Sequence, residues 1–184
     1  GDHVYKMDYG VMLAEHVERG ADVSIPCLEV PLESASAFGV MRIDEDGRIR
    51  EFVEKPATPL HAPGNPSRAL VSMGIYVFNA ESLYGYLRTD AQHVESTHDF
   101  GRDVIPRLLR DGARVYAHRF SDSCVNMADG HPDWRDVGTV DAYLEANLDL
   151  TRARPELNMY DEQWPIRTLE EHLPPAKFVF PSND

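Results

Sequence analysis

The chain has 184 residues, of which 42% are hydrophobic and 27% charged, enough for one domain with a sizeable core or one domain with a piece of another. Its 18 Lys and Arg stand against 31 Asp and Glu, a formal charge of -13; this argues against nucleic acid as a partner but allows a local basic pocket for a phosphate. No apolar run approaches the roughly 18 residues that cross a bilayer, and the first residues have neither the basic nor the apolar region of a secretory signal, so no membrane partner is expected.

The two cysteines, Cys27 and Cys124, are far apart and in no metal-like spacing, and a reduced, cytoplasmic setting is the plain reading. The eight histidines are scattered singly, without HxH or HExxH spacing, so no zinc site is expected.

In chain order, Tyr9, Met12, Leu13, His16 and Val17 recur at helical spacing and predict a helix over Tyr5–Arg19, with Gly20 as its stop. ADVSIPCLEVPL follows as a largely buried strand, with Pro26 and Pro31 arguing against an ideal central position. FGVMRIDEDGRIREFVEKP reads as a β-hairpin turning at Asp46-Gly47. PATPLHAPGNPS, with four prolines, is a surface loop, and ALVSMGIYVFN is the strongest strand in the chain.

Helices are predicted over Ala80–Arg88 and Asp99–Arg110, the second disturbed at Pro106. RVYAHRF is another strand, WRDVG a short one, and Thr139 can cap a helix that runs to Leu150. The stretch from Thr151, with Pro155, Pro165, Pro174, Pro175 and Pro181, reads as a linker. Alternating strands and helices give an α/β class with a mixed sheet.

Several residues could do chemistry. Glu54 and Lys55 of EFVEKP stand where a strand runs out into a loop, the place where open α/β sheets bind ligands. A lysine there can hold a phosphate and a carboxylate can accept hydrogen bonds from sugar hydroxyls; an ordinary solvated strand end is the competing reading. Asp136 of WRDVGT lies at another strand end, and two aspartates from separate strand ends are a usual way to hold Mg²⁺ with substrate phosphates completing the shell. Asp2 is a candidate partner. The competing roles are an ion pair with Arg135 or another surface base for Asp136 and a helix N-cap for Asp2.

HDFG at 98–101 lacks the other protein-kinase signatures, so Asp99 is an N-cap or a ligand contact. Ser72 and the Phe38-Gly39 pair offer close backbone approach or tight packing, and Trp134 is core or ligand platform.

Taken together, GDHVYKMDY, SAFGVMRID, EFVEKP, SMGIYVF, HDFGRDVIP, WRDVGTVDAY, PELNMYDEQWPIRT and LPPAKF, in this order, closely resemble the bacterial glucose-1-phosphate adenylyltransferases over nearly the whole chain. FVEKP and WRDVGT are shared across sugar nucleotidyltransferases; YDEQWPIRT and LPPAKF are much narrower. The resemblance implies a mixed-sheet, Rossmann-like (GT-A-like) catalytic domain that makes ADP-glucose and pyrophosphate from ATP and glucose 1-phosphate for glycogen synthesis. It implies Asp2 and Asp136 as the Mg²⁺-binding pair, Lys55 on the sugar phosphate and Glu54 on the glucose hydroxyls. Gly39 and Ser72 would line the glucose pocket, with Asp99, Phe100 and Trp134 near the same sugar.

The family's glycine-rich GGxGxRL loop is absent. The expectation is therefore the sugar-phosphate half of the catalytic domain over 1–150, incomplete at its N-terminus, and over 151–184 a linker toward a left-handed β-helix. Alone it is expected to be inactive and, with an exposed sheet edge, to self-associate, whereas the full-length enzyme would be an allosteric homotetramer. A nucleotidyltransferase for another sugar or nucleotide, or a non-catalytic sugar-phosphate-binding fragment, is the alternative.

Overall fold

The computed structural model describes residues 2–125 and 133–167; Gly1, Pro174, Pro175, Pro181 and the LPPAKF segment lie outside them. β1 (His3–Tyr5) and β8 (Trp134–Asp136) form a two-stranded antiparallel ribbon. The main sheet is mixed and contains β2 (Val23–Pro31), β3 (Gly39–Ile43), β4 (Ile49–Glu54), β5 (Arg68–Ser72), β6 (Val77–Phe78) and β7 (Val115–Arg119).

β2 is the hub of that sheet, against the expectation from its prolines. It pairs antiparallel with β5 and β6 along one edge and parallel with β7 along the other. Pro26 is tolerated because it sits where the partner on that edge changes: Ser24 faces Val77, Cys27 faces Ser72, and residues 73–76 of the partner backbone between them belong to no strand. The Pro26 carbonyl still accepts from the Met73 N–H at 3.0 Å.

The continuous strand predicted from ALVSMGIYVFN is accordingly broken in two. Gly74 adopts φ +70, a conformation that only glycine takes without strain, and a Cβ there would come within 2.9 Å of the His3 ring. The β3–β4 hairpin turns as predicted. Gly47 has φ +79, and the Asp44 carboxylate accepts from the backbone N–H groups of Asp46 and Arg48 at 3.1 and 2.9 Å.

Among the described residues there are four α-helices: α1 (Tyr9–Glu18), α2 (Ala80–Asp90), α3 (Ile105–Arg110) and α4 (Val140–Leu150). α1 starts later than predicted, capped by Asp8, whose side chain accepts from the Gly10 N–H. Residues 3–5 are taken into the ribbon instead. The predicted Asp99–Arg110 helix is a π-helical turn over Phe100–Val104 followed by α3, with Pro106 in the first turn of α3, where its missing N–H is harmless. Thr139 caps α4 as predicted, accepting from the Ala142 N–H.

The main core joins sheet to α3 through Ile25, Met41, Phe52, Ile105, Leu108 and Val115. A second cluster of Met7, Met12, Met73 and Phe120 packs against Tyr5 and Trp134 and so ties the ribbon to the domain. Residues 151–167 contain no helix or strand, yet Glu156 pairs with Arg135 and Asp161 with Lys6. Among the described residues no helix is long and apolar enough to cross a membrane.

Candidate active site

Glu54 ends β4, directly across from Gly39 at the start of β3. Its carboxylate occupies space that side chains would otherwise fill. A Cβ on Gly39 would lie 2.8 Å from Glu54 Oε2, and one on Gly101, in the π-helical turn, only 2.4 Å from the same oxygen. Burial pushes the Glu54 carboxyl above its ordinary pKa, the charge of Asp99 adds to this, and Lys55 and Arg102 work against it.

Asp99 caps the π-helical turn by accepting from the Arg102 N–H at 2.9 Å. Its N-cap role is thus real, and it is also close enough to Glu54 and Tyr76 for its charge to act on both. Phe100 stacks on Tyr76 with ring centroids 5.5 Å apart and planes 18° apart. Burial raises the pKa of the Tyr76 phenol, the neighbouring Ser72 hydroxyl opposes this, and the charges of Glu54 and Asp99 reinforce it. Ser72 itself is buried, and its Oγ accepts from the Gly74 N–H at 3.0 Å. Gly39, Glu54, Ser72, Asp99 and Phe100, spread over positions 39–100 of the sequence, therefore meet at one place.

Lys55 follows immediately, exposed and at φ +47. A non-glycine residue in the left-handed region is uncommon and costs conformational energy. The Lys55 N–H donates to the Phe38 carbonyl at 3.0 Å, which holds the bend.

The two aspartates come together through the ribbon. His3 pairs with Asp136, and the Val137 N–H donates to the Asp2 carbonyl at 2.6 Å. Both carboxylates approach the same point above Gly138: a Cβ there would lie 3.2 Å from Asp136 Oδ1 and 3.4 Å from Asp2 Oδ2. The competing roles do not hold. α1 is capped by Asp8 rather than Asp2, and Arg135 pairs with Asp133, Asp149 and Glu156 rather than Asp136. Among the described residues neither Asp2 nor Asp136 is in an ion pair, and no ion pair joins Lys55 to either.

Among the described residues no group of three or more His, Cys, Asp and Glu could hold a metal ion. Two exposed carboxylates sharing an open point fit Mg²⁺ better than a metal that needs an all-protein cage, because Mg²⁺ keeps waters and takes substrate phosphates as ligands.

Trp134 connects the two clusters. Its ring lies 5.1 Å from His3, beside Asp2, and 5.3 Å from Phe38, beside Gly39. A large acidic cavity of about 810 Å³ lies elsewhere, lined by Glu15, Glu29, Asp44 and Asp46 among others, and shares no residue with these clusters.

Sequence reasoning missed Tyr76 and Gly101. Tyr76 carries a weak signal, since it follows the strand-breaking Gly74 by two residues; Gly101 lay in view within HDFG.

A curled mixed sheet with carboxylates and a lysine gathered at strand ends is the architecture of a nucleotide-transferring α/β domain, and the chain belongs to the nucleotidyl transferase family, which it matches over residues 1–153. More narrowly, it is 65% identical over 184 residues to a glucose-1-phosphate adenylyltransferase of Nitrosomonas europaea. Proteins of the same name from Nitrosospira multiformis and Methylobacillus flagellatus are 59% and 61% identical over 184 residues. Each alignment covers 100% of this chain but only 42%, 43% and 43% of the respective relative.

Proposed function

We propose that this chain supplies the sugar-phosphate side of a glucose-1-phosphate adenylyltransferase site, which makes ADP-glucose and pyrophosphate from ATP and glucose 1-phosphate. The observation that carries this reading is the pairing of two clusters across Trp134: a half-buried carboxylate pocket on one side and two converging aspartates on the other.

In this reading the glucose hydroxyls donate to Glu54, with Asp99, Ser72 and the Gly39 backbone lining the pocket and Phe100 and Trp134 beside the sugar. Tyr76 completes the wall behind Phe100. Lys55, presented on its left-handed bend, neutralises the sugar phosphate, which attacks the α-phosphate of ATP in line. Such a displacement needs positioning and charge neutralisation rather than covalent help from the protein. Asp2 and Asp136 would hold Mg²⁺, which when bound offsets negative charge on the reacting phosphates.

Residues 1–150 then form the sugar-phosphate half of the catalytic domain, and 151–184 the linker that follows it. The wider reading, which follows from the resemblance of the sequence motifs alone, is a cytoplasmic, allosteric homotetramer serving glycogen synthesis.

The test is calorimetric titration of the intact protein with glucose 1-phosphate and, separately, with Mn²⁺ as a magnesium substitute. Glu54→Gln should weaken only the first and Asp136→Asn only the second. Unchanged binding of both ligands in both variants would refute the assignment.

A further inference from the structure

Glu54 is held in an unusual way. Among the described residues its carboxylate receives no protein hydrogen bond and forms no ion pair, although it is half-buried at the end of β4. A partly desolvated carboxylate with unfilled lone pairs has capacity left for donors from a ligand. What fixes its direction is steric. The Cβ that Gly101 lacks would lie 2.4 Å from Oε2, 2.8 Å from Cδ and 3.2 Å from Cγ, all three atoms belonging to Glu54.

At Gly39 the missing Cβ is contested also by Phe52, whose Cζ would be 2.4 Å away. Gly101 is different, because its nearest neighbours are Glu54 alone. Nor does its backbone demand glycine, since Gly101 is not among the residues with positive φ. The requirement is for space. The turn that delivers Gly101 is a π-helical one, capped by Asp99 and buried at Gly101 and Val104, and such turns are frequent at functional sites.

The geometry points to Gly101 as the specificity-setting position of the pocket. It is a positioning residue: by having no side chain it lets the Glu54 carboxylate lie in the one orientation that reads a hexose hydroxyl. It thereby sets discrimination between hexose 1-phosphates that differ at that hydroxyl. This inference rests on the reading of Glu54 as a sugar ligand.

The experiment compares wild type, Gly101→Ala, Glu54→Ala and the double variant in the intact protein, titrating glucose 1-phosphate and its C2 and C4 epimers, mannose 1-phosphate and galactose 1-phosphate, calorimetrically and recording melting temperatures. Gly101→Ala should weaken glucose 1-phosphate about ten- to a hundredfold, the loss of one charge-assisted hydrogen bond, and narrow the preference over the same epimer that Glu54→Ala ceases to reject. In the Glu54→Ala background the same substitution should change none of the affinities. Any drop in melting temperature caused by Gly101→Ala should also shrink in the double variant, because the clash is then gone.

Wild-type affinity in Gly101→Ala would overturn the inference, as would an equal loss in both backgrounds or a melting-temperature drop that persists without Glu54. If wild type and Glu54→Ala bind glucose 1-phosphate alike, the underlying reading of Glu54 fails first and takes the inference with it.

Discussion

Lys6 and Asp161, 155 positions apart in sequence, form an ion pair of 2.5 Å whose side chains are only 5% and 7% exposed. Lys6 directly follows β1, which begins beside Asp2, while Arg135 of β8 reaches Asp149 and Glu156. Both strands of the ribbon that brings Asp2 and Asp136 together are thus tied to the segment beyond α4. This explains why residues without helix or strand stay docked against the domain.

Breaking such a pair from one side removes the opposite charge that offsets the other's burial, which costs about 3–5 kcal/mol. Lys6→Met should therefore lower unfolding stability by that order in urea denaturation. Lys6→Met combined with Asp161→Asn should recover a large part of it. Asn keeps an oxygen for the Gln163 and Trp164 N–H groups that Asp161 Oδ1 now accepts at 3.0 and 3.2 Å. A single variant as stable as wild type would show that the pair contributes nothing to docking.

How far the chain could be read in advance depends on the range of the interactions that decide each element. The β3–β4 hairpin and α4 were legible because Asp46-Gly47 and Thr139 act within a few residues. β1 was not, because three residues become a strand only by pairing with Trp134–Asp136 far along the chain. The break at Gly74 is set partly by the His3 ring, another distant neighbour. The same holds for the site. Glu54, Lys55 and Asp136 announced themselves as charges at strand ends, whereas Gly101 has meaning only once β4 lies beneath the π-helical turn. Asp2 gave the weakest local signal of all, since its competing role as a helix cap disappears only when Asp8 is seen to take it.

The raised pKa of Glu54 predicts an acid limb in sugar-phosphate binding. Burial, then the Asp99 charge, favours its protonated form in the fold. Its contribution to stability is therefore full at pH below its unfolded value and lost as pH rises through the raised folded value. Ligand binding runs the other way, because a hydroxyl donor needs the ionised acceptor. Affinity for glucose 1-phosphate should thus fall as the solution is taken from neutral pH into the acid range, at a point above the ordinary glutamate value of about 4.3. The phosphate of the ligand titrates in the same range, at about 6 for a comparable monoester. Dividing wild-type affinity by that of Glu54→Gln at each pH removes that contribution. The ratio should decline with acid. A ratio flat across the range would mean that Glu54 does not accept the hydroxyl.

Lys55 offers the sharpest separation of stability from function. Its φ of +47 places a residue with a Cβ in the left-handed region, at a cost of about 1–2 kcal/mol. Strain of this kind persists where surrounding structure enforces it, and it gathers at functional sites. Here Pro56 follows and the Phe38 carbonyl holds the Lys55 N–H. Glycine would relieve the strain but alanine would not, so Lys55→Gly should be more stable than Lys55→Ala by about 1 kcal/mol after glycine's entropic penalty in the unfolded chain is counted. Neither variant keeps the ammonium, so both should lose stabilisation by glucose 1-phosphate in thermal-shift titrations. Two variants equally stable would remove the argument for strain. Retained stabilisation by the ligand in either would remove the argument that the ammonium is why a strained lysine is kept where glycine would fold more easily.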